Sequence, residues 1–558
     1  MNAKLRRSIL LVTLLWLAAT PFAQAQSTPF RQELLALLPD DFGVCIVVRD
    51  LQGHYARLER ADWFKAFRGS PLGKSILESP ELQHLEKWQG ELKKHFDLDW
   101  ATLRDDILGD TLILAYSPGS KDQTKDEHGL ILLHVRKPER LVQFIDELNT
   151  AQQKSGEVKS LTALQYKGAT YHCRQEKSKA QYYFVDGSLA AVSTKEEAIK
   201  ALLDKRLASA KDQTWAKRFR HAGAEQAFLT LCVNPRQIQP DFGSDLKGSD
   251  ALPSYWRALE GIFLTLTIKD DAELRLSLQA DPDQLPKWAR GPFTRTTPAS
   301  SLWQRFPEQS ILTVASRLDF ADTLDGFKAL LPEPDRKAFV AAVQNNLKGM
   351  LKLDPFDDIV PNVGPDWGIC VLPAKSGQHL PVVMVAVAVQ PGSKKPAVDQ
   401  TLYQAVHAFA GFALLDYNAK NPDATIRLQT MMQDKVEVAY LTSDKAFPAG
   451  VQPACALKEG FLIVATSPDA IANFRAQDAK TSPPSEAPLL RLSTRELAKL
   501  LEQRRDHILR RLPDKDAKQH LENVISLANL FEIVTLSQHG AAGQASWTLR
   551  LAPARADK

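Results

Sequence analysis

Four landmarks recur along this chain in the same order and at nearly constant spacing, and they constrain its fold more than any other feature. Leu38-Pro39-Asp40, followed by the strand-like run Val44 to Arg49, returns as Phe306-Pro307-Glu308 followed by Leu312 to Arg317, an offset of 268 residues. Leu98-Asp99 and Leu108-Gly109 return as Leu353-Asp354 and Val363-Gly364, at an offset of 255. Asp186-Gly187-Ser188-Leu189, then Thr194-x-x-x-Ala198-Ile199, returns as Glu459-Gly460-Phe461-Leu462, then Thr466-x-x-x-Ala470-Ile471, at 272 to 273. Leu259-x-x-Ile262-Phe263 returns as Leu527-x-x-Leu530-Phe531, again at 268. Collinear self-similarity of this kind is the mark of a unit used twice. It predicts a first copy over 26–285, a linker over 286–301 rich in proline and hydroxyl residues, and a second copy over 302–558.

Within a copy the hydrophobic period changes repeatedly. Continuous apolar runs, Val382 to Val389 and Leu130 to Val135, suggest strands buried on both faces. Leu264, Leu266 and Ile268, then Leu274, Leu276 and Leu278, alternate with polar residues and read as an amphipathic hairpin turning at Asp270-Asp271; Trp547, Leu549 and Leu551 repeat the alternation. Leu141, Phe144, Ile145 and Leu148 have helical spacing, as do Ala198, Ile199, Leu202 and Leu203. Strict βαβ alternation is missing. The expected class is therefore α+β, two homologous halves each with a largely antiparallel sheet and packed helices.

The first 25 residues carry their own signal. Lys4, Arg6 and Arg7 precede an apolar core, Ile9 to Ala19, and Ala23-Gln24-Ala25 is a small-x-small cleavage site, so residues 1–25 read as a secretory signal peptide. The core is shorter than the ~20 residues of a transmembrane helix, and no integral membrane span is expected after cleavage. The expected location is periplasmic or secreted. Removing the three basic residues lowers the formal net charge from +4 to +1, which leaves no electrostatic footprint for nucleic acid. Five cysteines, Cys45, Cys173, Cys232, Cys370 and Cys455, are too few for a disulfide scaffold, and all but Cys455 lie in or beside apolar, strand-like runs.

The Leu38-Pro39-Asp40 opening with its strand, the Ser70-Pro71-Leu72-Gly73 segment and the stretch from Leu98-Asp99 to Leu108-Gly109-Asp110 resemble a family of exported bacterial proteins known only as a domain of unknown function. That resemblance implies an envelope location and carries no catalytic residue or substrate.

Motifs that suggest chemistry lack the parts the chemistry needs. Gly69-Ser70-Pro71-Leu72-Gly73-Lys74-Ser75 has three residues between its glycines where a phosphate loop needs four, and Pro71 supplies no N–H donor; Ser70 or Ser79 reads instead as a helix cap. Ser244-Asp245-Leu246-Lys247 matches S-x-x-K without the S-D-N and K-T-G partners, in a loop-like stretch. His128 and His134 share a strand face without a third metal ligand, and His172 and Cys173 point to opposite faces. Asp99 and Asp354, the latter with Pro355 and Asp357, read as helix caps rather than paired catalytic carboxylates. Arg504, Arg505, Arg510 and Arg511 are interleaved with Glu496, Glu502, Asp506 and Asp514, as on a solvated helix face.

No catalytic, cofactor-binding or metal-ligating residue is assigned, and no cofactor is expected. The reading that follows is an exported, non-catalytic envelope protein, a binding or scaffolding module acting through the cleft between its two halves on an unknown protein or an apolar ligand of the cell envelope. The alternative is a hydrolase of envelope peptide or glycan polymers, with carboxylates assembled in space.

Overall fold

The computed structural model describes residues 32–118, 127–177, 179–208, 214–242, 251–351, 353–374, 380–392, 397–475, 486–511 and 517–554. The signal-peptide segment 1–25 and the Ser244–Lys247 motif lie outside the described residues. Helices and one large antiparallel sheet make up the chain, an α+β architecture. The first ten strands are β1 (Val44–Arg49), β2 (Thr111–Ser117), β3 (His128–His134), β4 (Val158–Tyr166), β5 (Ala169–Glu176), β6 (Ala180–Asp186), β7 (Leu189–Ser193), β8 (Leu229–Val233), β9 (Leu259–Ile268) and β10 (Ala272–Ala280). The next ten are β11 (Leu312–Arg317), β12 (Val363–Leu372), β13 (Val382–Val389), β14 (Arg427–Gln433), β15 (Val436–Thr442), β16 (Ala454–Lys458), β17 (Phe461–Ala465), β18 (Ala487–Ser493), β19 (Phe531–Ala541) and β20 (Gln544–Pro553).

Every pairing among them is antiparallel, and together they give one ladder: β4-β5-β6-β7-β3-β2-β1-β8-β9-β10-β20-β19-β18-β11-β12-β13-β17-β16-β15-β14. Read inward from either end, the ladder has the same order of connections, and the two runs meet at β10 and β20. There Ala272 pairs with Leu551, Leu274 with Leu549 and Leu276 with Trp547. The fourth landmark pair does not hold as drawn. Leu259 is buried at the start of β9, whereas Leu527 lies exposed on the helix Ala517–Leu530, one helical turn before β19. Its spacing matches because a helical turn and a strand residue present apolar side chains at compatible intervals.

One face of the sheet is closed by helices. In the first run, Cys45, Ile113, Leu132, Ala191, Cys232 and Phe263 pack against Leu35, Ile199, Leu202, Trp215 and Phe219 from the helices Gln32–Ala36, Glu196–Leu207 and Thr214–His221. Trp215 is buried and donates its indole N–H to the Pro39 carbonyl at 3.0 Å, tying the helix to the opening segment. In the second run, Ala315, Cys370, Met384, Ala386 and Ile463 pack against Leu302, Phe306, Ile471 and Phe474. The segment 286–301 packs on the opposite face at the junction, where Phe293 is buried with Ile262, Leu278 and Trp547, and Thr296 Oγ1 donates to the Gly540 carbonyl at 2.7 Å.

The continuous apolar runs are not buried on both faces. On β3, Leu130 and Leu132 are in the core while Ile131 is 40% exposed, and on β13 Met384 and Ala386 are buried while Val385 is exposed. Helices cover the second face only along its borders. Leu133 lies under Leu92, Leu141, Phe144 and Ile145 of the helices Pro80–Phe96 and Pro138–Lys154, and Val389 and Leu462 lie under Val398 and Leu402 of the helix Val398–Lys420.

Candidate functional site

The uncovered middle of the second face is the most unusual surface of the molecule. Along β9, Ile262 packs with Tyr255 and Trp256 of the helix Ala251–Ala258. Four residues on, Leu266 packs with Phe64 and Leu58 of the helices Asp62–Gly69 and Leu51–Arg60. Leu264 lies between these two walls and is 37% exposed. On β10, Leu274 and Leu276 are likewise open, at 38% and 37%. These strands thus form the floor of a groove with helical walls.

The floor continues in both directions through directly paired side chains. From Leu276 the pairs run through Leu264, Leu231, Ile46, Leu114 and Ile131 to Val192. From Leu274 they run through Leu549, Leu536, Leu490, Val314, Ile369 and Val385 to Val464. With strands ~4.8 Å apart, this line of pairs forms a strip ~60 Å long. Its side chains are Leu, Ile or Val, with Trp547 beside it opposite Leu276; Ile131, Leu264, Leu274, Leu276, Val385 and Val464 are open, whereas Ile46 is buried.

The burial of the central hairpin is inverted relative to its amphipathic pattern. Its polar residues point to the closed face: Thr265, Ser277 and Gln279 are buried, and Ser277 is fully so. Thr265 Oγ1 approaches the Arg275 carbonyl at 3.5 Å, and Gln279 Nε2 donates to the Arg218 carbonyl at 3.0 Å. The leucines are left facing out. The alternation was visible in the sequence, but its direction was not, because a period of two does not say which face is covered.

Two polar clusters lie apart from the strip. Asp41, His128, Lys195 and Glu197 line a depression of about 600 Å³ beside Pro39, Ala198 and Ala201, with His128 Nε2 3.6 Å from Asp41 Oδ2. At the end of β1, Asp50 is fully buried in a left-handed conformation and caps the helix Leu51–Arg60 through Gly53 N at 3.2 Å. Arg136 Nη2 at 3.0 Å and Arg57 Nη2 at 3.7 Å neutralise it, although burial is the larger influence and raises its carboxyl above the usual range. Nearby, Asp110 Oδ2 is 2.6 Å from His134 Nδ1, an ion-pair distance although the ring is not aligned for a hydrogen bond. His54 lies against Phe228 in a tilted contact with ring centroids 5.0 Å apart, and burial, helped by Arg57 and Arg49, lowers its pKa to about 3. These groups hold the end of β1 to the helix that follows it.

The remaining sequence candidates fall into structural places. Ser70 caps the helix Pro71–Leu77 by accepting from Gly73 N at 3.0 Å, while Ser79 makes no capping bond from its side chain. Asp99 accepts from Thr102 N at 2.7 Å, and Asp354 accepts from Phe356 N at 3.0 Å and Asp357 N at 3.2 Å. His172 stacks on Tyr183 at 4.9 Å. Arg505 pairs with Glu522 of the neighbouring helix. Cys455 lies on β16, so all five cysteines are strand residues; the cysteines are free, and Cys45 stands directly opposite Cys232. Among the described residues no three His, Cys, Asp or Glu side chains are grouped to hold a metal ion, and no helix is long and apolar enough to cross a membrane.

No protein-family model matches the chain, and no curated protein matches it in sequence. The resemblance seen in the Leu38–Asp40, Ser70–Gly73 and Leu98–Asp110 segments rests on those residues alone.

Proposed function

We propose that this chain is an exported, non-catalytic binding module of the cell envelope, and that its working surface is the apolar groove running across both halves of the sheet. The observation that carries this reading is the outward-facing set Leu264, Leu274 and Leu276 at the junction of the two runs, with Thr265, Ser277 and Gln279 turned inward. A surface leucine gains nothing in water, and an inverted hairpin is favoured only if the leucines are covered in the working state.

A duplication accounts for how the groove comes to cross the whole sheet. If Val44 is set on Leu312, the strand pairings carry Ile46 to Val314, Leu114 to Ile369, Ile131 to Val385, Val192 to Val464, Leu264 to Leu536 and Leu276 to Leu549. One half of the strip is then the other half repeated. The offsets of 255 and 272 read from the landmarks follow from the same pairings, which supports two copies of one unit. Export is supported by the Lys4 to Ala25 signal pattern, and amino-terminal sequencing of the secreted product should begin at Gln26.

An environment-sensitive apolar dye tests the surface. Anilinonaphthalene sulfonate fluorescence should rise with the wild-type chain and be lost in Leu264→Glu and Leu276→Glu, with the far-ultraviolet circular dichroism unchanged. Equal dye binding by wild type and both variants would remove the groove as the working surface.

A further inference from the structure

The sheet ends at two open edges, β4 and β14, and they are protected unequally. Among the described residues, β4 pairs only with β5 and β14 only with β15. An unpaired edge is a template for another strand, and native edges are blunted by bulges, lysine or proline. β4 has a bulge between Val158 and Ser160 and a lysine, Lys159. β14 has no such device. Its register with β15 is unbroken, it contains no proline, and its only charged residue is Arg427 at its start. Its side chains are exposed from Arg427 to Met432, with Leu428 at 38%, Met431 at 39% and Met432 at 69%.

The register fixes which backbone groups of β14 point outward. Leu441 N donates to the carbonyl of Pro453, which leads into β16, at 2.8 Å, so the alternate residues Val436, Val438, Tyr440 and Thr442 bond toward β14. Their partners are Gln433, Met431, Gln429 and Arg427. The N–H and C=O groups of Leu428, Thr430 and Met432 are left facing the open edge.

These three residues make the edge complementary to itself. About a two-fold axis at Thr430, Leu428 of one copy faces Met432 of the other and Thr430 faces Thr430, each pair exchanging both backbone bonds. Arg427 falls opposite Gln433, so no like charges meet. Met431 pairs with the buried Val438 on the closed face, so Leu428 and Met432 lie on the face that carries the groove. They form an apolar cross-strand pair on either side of the axis, and threonine facing threonine is itself favourable. We propose that β14 is the association edge for a second copy of this chain, joined antiparallel about Thr430. The axis stands perpendicular to the sheet, so both copies present their grooves on one side. The contact is a strand edge with a few side chains, well below the ~1,600 Å² of a standard interface, and the dimer is correspondingly weak.

Sedimentation velocity of the chain without its first 25 residues, from about 5 to 200 µM, tests the pairing. Wild type should pass from monomer to dimer across this range. Thr430→Lys sets two lysines opposite each other and should raise the dimer dissociation constant by about tenfold or more, with the far-ultraviolet circular dichroism unchanged. Thr430→Glu should do the same, and an equimolar mixture of the two variants should recover the dimer, because pairing centred on Thr430 sets lysine against glutamate. Leu161→Lys, on the β4 edge, should dimerise as wild type does. A wild type that stays monomeric throughout overturns the proposal. So does a dimer that both Thr430 variants leave intact, or one that Leu161→Lys abolishes. Species that grow beyond the dimer with concentration would mean head-to-tail pairing of β14 with β4 and would also overturn it. Leu264→Glu and Leu276→Glu should leave the dimer unchanged; if they abolish it, the second copy sits in the groove and not at β14.

Discussion

Ser277 and Ser546 stand directly opposite each other across the β10–β20 junction, and both are buried, while Leu276 next to Ser277 is exposed. The Ser277 hydroxyl has no hydrogen-bond partner. A buried, unsatisfied hydroxyl costs more than it contributes. Ser277→Ala should therefore leave stability unchanged or raise it by up to about 1 kcal/mol, measured by urea unfolding. A loss of more than ~1 kcal/mol would mean that the hydroxyl is satisfied after all, by a partner or a bound water.

The two faces of the sheet should respond differently to truncation. Leu132 is fully buried on the closed face of β3, and Leu132→Ala should cost about 2–5 kcal/mol. Leu264 and Leu276 already meet water, and their alanine variants should cost less than about 1 kcal/mol each. Comparable losses at Leu132 and Leu276 in chemical denaturation would show that the groove is filled by protein in the free chain, contrary to the exposure of its floor.

Particular residues show what the sequence could reveal. Leu141, Phe144 and Ile145 announced their helix because a 3.6-residue period has one apolar stripe and one place to bury it. Val44 to Arg49 and Leu312 to Arg317 announced equivalent strands because their neighbours recur with them. Ile131 and Val385 could not announce their exposure, since an apolar run reads the same whether or not its second face is covered. Leu264 and Leu276 were legible as one face of a hairpin but not as the outer one. The buried set around Asp50 was invisible too: Arg57 and Arg136 are far apart in sequence and meet only when β3 delivers Arg136 beside the end of β1.

Capping supplies a local test of the acidic segments. Asp354 accepts two backbone N–H groups at the start of a tight turn, and Asp99 accepts one, with that Thr102 bond the main cause holding its carboxyl below the usual range. Asp354→Ala and Asp99→Ala should each lower stability by about 1 kcal/mol, with asparagine variants recovering most of the loss. Neither change should alter probe binding in the groove; a selective loss of binding at full stability would give these carboxylates a role beyond capping.

His54 should give the chain a characteristic acid response. Its pKa is near 6.5 in the unfolded chain and lowered to about 3 in the fold, because burial, then Arg57 and Arg49, disfavour the imidazolium. The unfolded state therefore binds more protons between these values. Its stabilising contribution is complete above pH 6.5 and is lost progressively as the pH falls toward 3, with a slope of up to about 1.4 kcal/mol per pH unit from this one group. Asp50 acts in the opposite sense, since its raised carboxyl takes up a proton more readily in the fold. Urea unfolding across about pH 5 to 6.5, compared between wild type and a His54 variant, reads the histidine's share of the slope. His54→Gln should flatten the decline in that window whatever its effect at neutral pH, and an unchanged slope in the variant would assign the acid sensitivity to another group.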